Sequence, residues 1–464
     1  MIEFKNIEGI YFVGIGGIGM SALALYYAKI GYNIAGYDRS ESKITLSLTE
    51  GGCTVSYEDN VNLLPDFFVN SSNKSKVLIV YTPAIPEDNR ILSYFRNYGY
   101  RLYKRSEVLG EISSNTDTLA VAGTHGKTTV STMIAHLLKQ SHVDCSAFLG
   151  GISKNYDSNL ILGEGRYTVI EADEFDRSFH SLKPLMAVVT SLDADHLDIY
   201  GDQGTMVKAY NEFCSKIRPG GTLVVNCRIR KEIIVPEGVT CYTYGLDSSS
   251  DYCSFSIEHA KDYYSFNLKT PSTMIEDLHF AFPGIINIEN LTAAVAIAMM
   301  CGVTEQEIRK AAILFQGVKR RFDIRINWPG LAYIDDYAHN PEEIKACITA
   351  VKEYFTGRKI TGIFQPHLFS RTRDHADGFA AILDELDEVI LLPIYPAREK
   401  QIEGVSSELI FNKMRSGGKR LLKREDIPVK LEVSKLDVLL TIGAGDIDTL
   451  VSPIEEKLRK ERER

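Results

Sequence analysis

No C-x-x-C pair occurs among the eight cysteines of this chain, Cys53, Cys145, Cys214, Cys227, Cys241, Cys253, Cys301 and Cys347. In a chain of 464 residues they read as reduced, mostly buried thiols of a cytoplasmic protein rather than as a disulfide framework. The opening Met-Ile-Glu-Phe-Lys-Asn lacks the basic-then-apolar pattern of a secretion signal. No apolar run reaches membrane-spanning length, and the stretch from Ala293 to Met300 falls far short. Positive charge is not in excess. A net charge of −9 argues against a nucleic-acid or membrane surface, but leaves room for small anionic substrates held by local basic clusters. There is no internal repeat. What is present is ordinary globular material, 44% apolar and 24% charged, over a length that predicts two to four domains.

The most informative stretch is Val121-Ala-Gly-Thr-His-Gly-Lys-Thr-Thr-Val130. Leu119, Ala120 and Val121 before it predict a buried strand, and Val130, Met133, Ile134, Leu137 and Leu138 after it recur at helical spacing. The segment from Gly123 to Thr128 therefore turns a strand into a helix. Backbone N–H groups and a helix N-terminus converge on one point there and favour anions. Lys127 adds a charge for the outer phosphates, and Thr128 a hydroxyl suited to Mg²⁺. This pattern predicts a nucleoside-triphosphate site. It is a shortened form, because Val121 stands where the general phosphate loop has its first glycine.

Three α/β blocks are expected: residues 1–108, 109–319 and 320–464. In the first, the strand Tyr11–Val13 runs into Gly14-Ile-Gly16-Gly17-Ile-Gly19, followed by a helix through Leu23, Tyr27 and Ile30. Further strands are expected at 33–37, 77–81 and near 101–103, which makes a doubly wound unit. The second block contains the phosphate loop, with parallel strands at 167–170 and 187–190. Residues 222–280 read as a set of short alternating strands, an antiparallel appendage, and 288–301 as a buried helix. The third block alternates strands at 332–334, 360–364, 389–392 and 438–442 with helices, one starting at Pro341.

The motif Gly14-x-Gly16-x-x-Gly19, with Asp38 nineteen residues further on, fits a dinucleotide fingerprint. The same loop also binds the diphosphate of a nucleotide sugar, with Asp38 on a ribose hydroxyl. Two phosphate loops in separate blocks fit a kinase or ligase with a nucleotide-activated substrate better than a dehydrogenase. Glu171-Ala-Asp173-Glu174-Phe-Asp176 places four carboxylates at the end of a strand, a density that calls for a cation. The next strand ends in Asp193-Ala-Asp195-His196-Leu-Asp198, where His196 is a candidate for a second Mg²⁺. Block three offers Asp335-Asp336-Tyr337-Ala-His339 and Gln365-Pro-His367-Leu-Phe-Ser-Arg371-Thr-Arg373, whose arginines suit a carboxylate or a phosphoryl group. Lys319-Arg320-Arg321 lies at the junction of blocks two and three.

In order and over nearly the whole length, these motifs resemble the bacterial Mur ligases. Asn287-x-x-Asn290 and Gly443-Ala-Gly-Asp446 complete the set. The resemblance implies a three-domain α/β fold: a Rossmann-like UDP-sugar domain, a central ATPase domain with a parallel sheet, and a Rossmann-like C-terminal amino-acid domain. It implies that L-alanine is joined to the carboxylate of UDP-N-acetylmuramate through an acyl phosphate made from ATP, in the cytoplasm, with two Mg²⁺ ions and without nucleic acid or membrane. By the same resemblance Gly123, Thr124, His125, Gly126, Lys127, Thr128 and Thr129 hold the phosphates, Asn287 and Asn290 the adenine, and Arg321 the phosphates or a closed domain arrangement. Thr128, Glu171 and His196 are the metal ligands it implies. Gly14, Gly16, Gly17, Gly19, Met20, Ser21, Asp38 and Thr82 line the UDP-sugar site, and His339, Arg371 and Arg373 serve alanine or the transition state. Ile286 stands where many relatives carry His in the adenine motif, and Lys208 is too close to His196 to match the carbamylated lysine of other branches. The alternatives are a ligase that attaches a recycled tripeptide to the same sugar, an NAD-dependent oxidoreductase, and a non-catalytic nucleotide-sugar binder.

Overall fold

Short apolar runs bounded by polar turns become three sheets in the computed structural model, which describes residues 4–193, 200–260, 263–397 and 399–462. The first sheet contains β1 (Gly9–Val13), β2 (Asn33–Tyr37), β3 (Thr54–Ser56), β4 (Val77–Tyr81) and β5 (Arg101–Lys104), in the order β3-β2-β1-β4-β5. All its pairings are parallel. Every residue of β1 is buried, the expected result for a central parallel strand covered on both faces. From β1 the chain builds outward to β3, then returns to β4 on the other side. The switch point therefore falls between the C-terminal ends of β1 and β4, where doubly wound sheets bind ligands.

The second sheet has ten strands: β6 (Asp117–Ala122), β7 (Cys145–Ser153), β8 (Ser158–Ile161), β9 (Tyr167–Glu171), β10 (Met186–Val189), β11 (Thr222–Asn226), β12 (Thr240–Gly245), β13 (Tyr252–His259), β14 (Tyr264–Lys269) and β15 (Met274–Phe280). Their order is β15-β14-β13-β12-β11-β10-β6-β9-β7-β8. The expected antiparallel appendage is instead a continuation of this sheet. β11 and β12 extend it in parallel, and only β13 to β15 turn antiparallel. β12 alternates in sequence because its first four residues are only partly covered, so it imitates an antiparallel strand. The hairpin-like pair β7 and β8 was not expected; its Gly150 and Gly151 interrupt the apolar pattern.

The third sheet has the order β16-β17-β21-β18-β19-β20, from β16 (Asp323–Trp328), β17 (Leu331–Asp336), β18 (Ile360–Phe364), β19 (Glu388–Leu391), β20 (Lys419–Leu421) and β21 (Val438–Ile442). The chain forms two compact units: residues 1–282 with 287–316, and residues 283–286 with 317–464. The first two sheets thus belong to one unit. A single apolar cluster explains this, running from Ile10, Phe12 and Leu23 to Phe148, Leu160 and Ile170. Tyr26 and Phe148 meet edge to face at 5.3 Å across it. The second unit has its own core around Tyr333, Ile363, Leu439 and Ile454. No helix among the described residues is long and apolar enough to cross a membrane.

Candidate active site

β6 runs to Ala122, and the helix Lys127–Lys139 begins at once after Gly126, whose φ is +81°. The loop between is therefore only four residues long. Val121, at the position of the missing glycine, is a fully buried strand residue. Gly123 has φ +136°, and a Cβ there would lie 1.9 Å from Thr190 Oγ1, so no side chain fits. The end of β10 braces the loop. Ser191 Oγ accepts from the His125 N–H at 2.8 Å and lies 2.9 Å from Thr124 Oγ1. His125 Nε2 lies 3.8 Å from Asp193. Thr129 lies in the first helical turn.

Lys127 folds back over its own loop. Its Nζ donates to Glu174 Oε1 at 2.8 Å, to the Gly123 carbonyl at 2.7 Å and to the Thr124 carbonyl at 3.3 Å. Glu174 is 2% exposed and Lys127 14%. Burial works against the ammonium, but Glu174 beside it raises the Lys127 pKa above the usual lysine value. The four-carboxylate cluster is accordingly not a bare set of like charges. Glu174 is paired with Lys127, and Asp173 lies 3.3 Å from Arg105. The third carboxylate, Glu171, accepts from Thr128 Oγ1 at 2.9 Å and, through its other oxygen, from the Gly150 N–H at 2.9 Å. Thr128 and Glu171 thus present two hard oxygen donors side by side next to a phosphate loop, a set that fits Mg²⁺ completed by phosphate and water. Among the described residues no group of three or more His, Cys, Asp or Glu converges as a metal cage. Asp195, His196 and Asp198 lie outside the described residues.

Asn287 and Asn290 are both nearly buried on the helix Ile285–Met300 and bonded to each other at 3.2 Å. Asn290 faces the phosphate loop: a Cβ on Gly126 would lie 3.0 Å from its Oδ1. Ile286 is exposed.

In the first sheet the glycine loop spends most of its amides internally. Gly14 and Ile15 donate to the Tyr37 carbonyl at 2.7 and 2.9 Å, Gly16 to Asp38 Oδ2 at 2.7 Å, and Gly17 to the Gly14 carbonyl at 3.3 Å. Asp38 therefore braces the loop, with its second oxygen accepting from the Arg39 N–H at 2.8 Å. Gly14 has φ +89° and packs against Thr82 and Ile85. Met20 and Ser21 are buried in the helix Ile18–Lys29, and Ser21 Oγ donates to the Ile18 carbonyl at 2.9 Å. Ser21 Oγ also accepts from Asn159 Nδ2 at 3.1 Å. Gly19 makes room for Arg105, whose Nη1 would lie 2.7 Å from a Cβ at that position.

In the second unit Asp335 and Asp336 are buried within β17 rather than open at its end. Asp336 accepts from the Phe322 and Ala338 N–H groups at 2.6 and 2.8 Å. Arg320 donates to Asp335 at 3.2 Å and to the Gly443 carbonyl at 2.5 Å, so it ties that sheet together. Arg321 stacks over Tyr337 at 5.2 Å and lies 3.9 Å from Glu343. His339 contacts Glu343 at 3.2 Å. Burial holds its pKa below the usual histidine value, Glu343 opposing and Arg371 reinforcing the shift. The rings of His339 and His367 are 6.0 Å apart, and Arg371 reaches His367 Nδ1 at 3.3 Å. Arg373 is not part of this group. It is exposed and bonded to its neighbour Asp374 at 2.7 Å.

Sequence reasoning passed over Gly150, Arg105 and the partnership of Glu174 with Lys127. A doubled glycine inside a strand signals close approach of another group, and a charged residue just past the C-terminal end of a parallel strand signals a ligand position. Either sign could have found the first two.

Three family models match in chain order: the Mur ligase family catalytic domain over residues 9–116, the Mur ligase middle domain over 121–298, and the Mur ligase glutamate ligase domain over 320–445. The UDP-N-acetylmuramate–L-alanine ligase of Parabacteroides distasonis is 48% identical over 461 residues, covering 99% of each chain. The chain belongs to the Mur ligase family. Its fold matches the crystal structure of UDP-N-acetylmuramate-alanine ligase from Thermotoga maritima with a TM-score of 0.81, at 26% identity, over 98% of this chain and 99% of that one. A murein peptide ligase from Psychrobacter arcticus shares the fold at a TM-score of 0.70 and 20% identity, over 97% and 98% of the two chains. Among Mur ligases, then, the similarity extends to sequence along the whole chain for alanine-adding enzymes and to fold alone for the peptide ligase.

Proposed function

We propose that this chain joins L-alanine to the carboxylate of UDP-N-acetylmuramate with ATP, releasing ADP and phosphate, as a cytoplasmic step of peptidoglycan precursor synthesis. The observation that carries the reading is its end-to-end similarity to alanine-adding Mur ligases, over a chain that holds both glycine loops. The division of labour follows the three expected blocks, 1–108 for the UDP-sugar, 109–319 for ATP and 320–464 for the amino acid. Eight free cysteines suit a reducing compartment.

A carboxylate is a poor acyl donor. Transfer of the ATP γ-phosphoryl group converts it to an acyl phosphate, the alanine amine attacks, and the tetrahedral intermediate expels phosphate. The loop Gly123–Thr129 and the N-terminus of its helix hold the triphosphate. Lys127 leaves Glu174 to neutralise the β- and γ-phosphates. Thr128 and Glu171 would hold Mg²⁺, and His196 a second ion; bound Mg²⁺ would supply charge neutralisation for phosphoryl transfer to the carboxylate. Asn287 and Asn290 take the adenine side. Arg321 serves the phosphates, and His339 and Arg371 serve alanine or the transition state, whereas Arg373 stays with Asp374; burial favours the neutral form of the His339 imidazole.

The test is phosphate release from ATP with Mg²⁺ and UDP-N-acetylmuramate, with L-alanine or with the recycled tripeptide as acceptor. Release that depends on L-alanine and disappears in Lys127→Ala is the expected result. Release that depends on the tripeptide instead would transfer the chain to the recycling branch.

A further inference from the structure

Arg105 follows the last residue of β5, at the C-terminal edge of the first sheet, and reaches across to the helix Ile18–Lys29. Its guanidinium packs against Gly19 so closely that a Cβ at position 19 would lie 2.7 Å from Nη1 and 3.2 Å from Cδ and Cζ. The amides of residues 14 to 17 are already engaged within the loop. The helix begins at Ile18, so the first-turn amides at Ile18 and Gly19 have no partner within the helix. A cation resting on the positive end of a helix is electrostatically misplaced unless an anion joins it. Arg105 does meet one, Asp173, but across 3.3 Å and at a carboxylate that is 42% exposed, so the contact is long and accessible to water. Asp173 belongs to the segment after β9 that also supplies Glu171 and Glu174 to the triphosphate loop. Arg105 therefore stands between the two phosphate loops of the first unit.

We propose that Arg105 is a substrate-binding residue that exchanges Asp173 for an anionic group of the UDP-sugar, and that Gly19 lacks a side chain to admit it. The proposal rests on the reading of the glycine loop as the UDP-sugar site. An arginine suits this exchange because its planar fork can hold two oxygens of a diphosphate or a carboxylate at once. The substrate offers both anions, and the guanidinium lies on the path from the glycine loop to the acidic segment.

Isothermal titration of the full chain with UDP-N-acetylmuramate, UDP-N-acetylglucosamine and UDP tests this. Arg105→Ala is expected to weaken UDP-N-acetylmuramate about 10- to 100-fold, the usual worth of a charge-assisted contact, while ATP affinity stays within twofold. An equal loss for all three ligands assigns the diphosphate as the partner; a loss confined to UDP-N-acetylmuramate assigns the carboxylate that the other two lack. Asp173→Asn removes the competing anion and is expected to tighten the sugar nucleotide about threefold or more. Arg105→Lys keeps the charge but not the fork, and is expected to fall between wild type and Arg105→Ala. Unchanged affinity in Arg105→Ala, or an equal loss for ATP together with a lowered Tm, would overturn the proposal in favour of a packing role. Wild-type protein that binds none of the three would instead sink the reading of the loop itself.

Discussion

The ion pair between Lys127 and Glu174 sets a barrier that ATP must overcome. The phosphate-loop lysine cannot meet a triphosphate while its ammonium rests on a carboxylate that is 2% exposed, 2.8 Å away. At an effective dielectric near 20 the gross Coulomb attraction at that distance is about 6 kcal/mol. Desolvation of two buried ions cancels most of it. Glu174→Gln keeps an oxygen acceptor at the same place and removes only the charge, so the lysine loses the difference between a charge-assisted and a neutral hydrogen bond, about 1–1.5 kcal/mol. The Gly123 and Thr124 carbonyls still hold Nζ, so the loop keeps its form. ATP affinity is therefore expected to rise about tenfold in Glu174→Gln. Direct titration with Mg-ATP measures it, and the gain must vanish in a Lys127→Ala background, because the competitor acts only through the lysine. Thermal unfolding should show the opposite sign without nucleotide, since the buried ammonium has lost its counter-charge. If Glu174→Gln binds Mg-ATP more weakly than wild type, the carboxylate serves the bound state and the competition argument fails.

Three further outcomes follow from the same geometry. Gly150→Ala places a Cβ 2.3 Å from Glu171 Oε2 and is expected to displace that carboxylate, raising the Mg²⁺ concentration for half-maximal activity severalfold in a metal titration while leaving the affinity for UDP-N-acetylmuramate unchanged. Arg371→Ala should lower kcat/KM for L-alanine at least tenfold more than Arg373→Ala, because Arg371 belongs to the His339–His367 group and Arg373 points to solvent with Asp374. Asp335 is 1% exposed, and burial, against the pull of Arg320, pushes its pKa up to about 6. Its folded pKa exceeds the unfolded one, so the cost of its buried charge is present above pH 6 and is relieved as pH falls towards 4. Asp335→Asn should flatten that part of the stability–pH curve, a contribution of roughly 1.3 kcal/mol between pH 7 and pH 5 in denaturant titrations.

The sites most legible in the sequence were those where one local pattern dictates both structure and chemistry. Gly123 to Thr128 is such a case: a strand of apolar residues, a glycine with φ of +136°, and a helix starting on a lysine leave few other outcomes. The strands at 33–37, 77–81, 360–364 and 438–442 were equally plain, because buried parallel strands are continuous apolar runs bounded by turns. Residues 222–280 were legible only in part, for the converse reason: β13 to β15 are antiparallel as expected, but β11 and β12 continue the parallel sheet. β12 lies inside its sheet between β11 and β13, but its first four residues are exposed or only partly covered, so its pattern gave no sign that it pairs in parallel with β11. Partnerships distant in sequence left at most a sign that some group approaches Gly150 or Arg105, and no sign of which one. Arg105 and Asp173 are 68 residues apart, and Gly150 and Glu171 are 21 apart.

The acidic segment after β9 shows what this costs in interpretation. Read alone, four carboxylates in six residues ask for a metal. In the folded chain, Glu171 is held by Thr128 and the Gly150 amide, Asp173 by Arg105 and Glu174 by Lys127. Each of the three therefore has its own protein partner, and two of those partners are the cations that must be released to meet phosphate or sugar. The same short segment can then respond to both substrates: ATP draws Lys127 from Glu174, and the UDP-sugar draws Arg105 from Asp173. In the proposed mechanism both releases would separate a carboxylate from its cation within three residues of Glu171, which would raise the negative potential where Mg²⁺ is proposed to bind. On this argument Mg²⁺ affinity should be higher with both substrates present than with either alone, and the excess should fall when Arg105 or Lys127 is replaced.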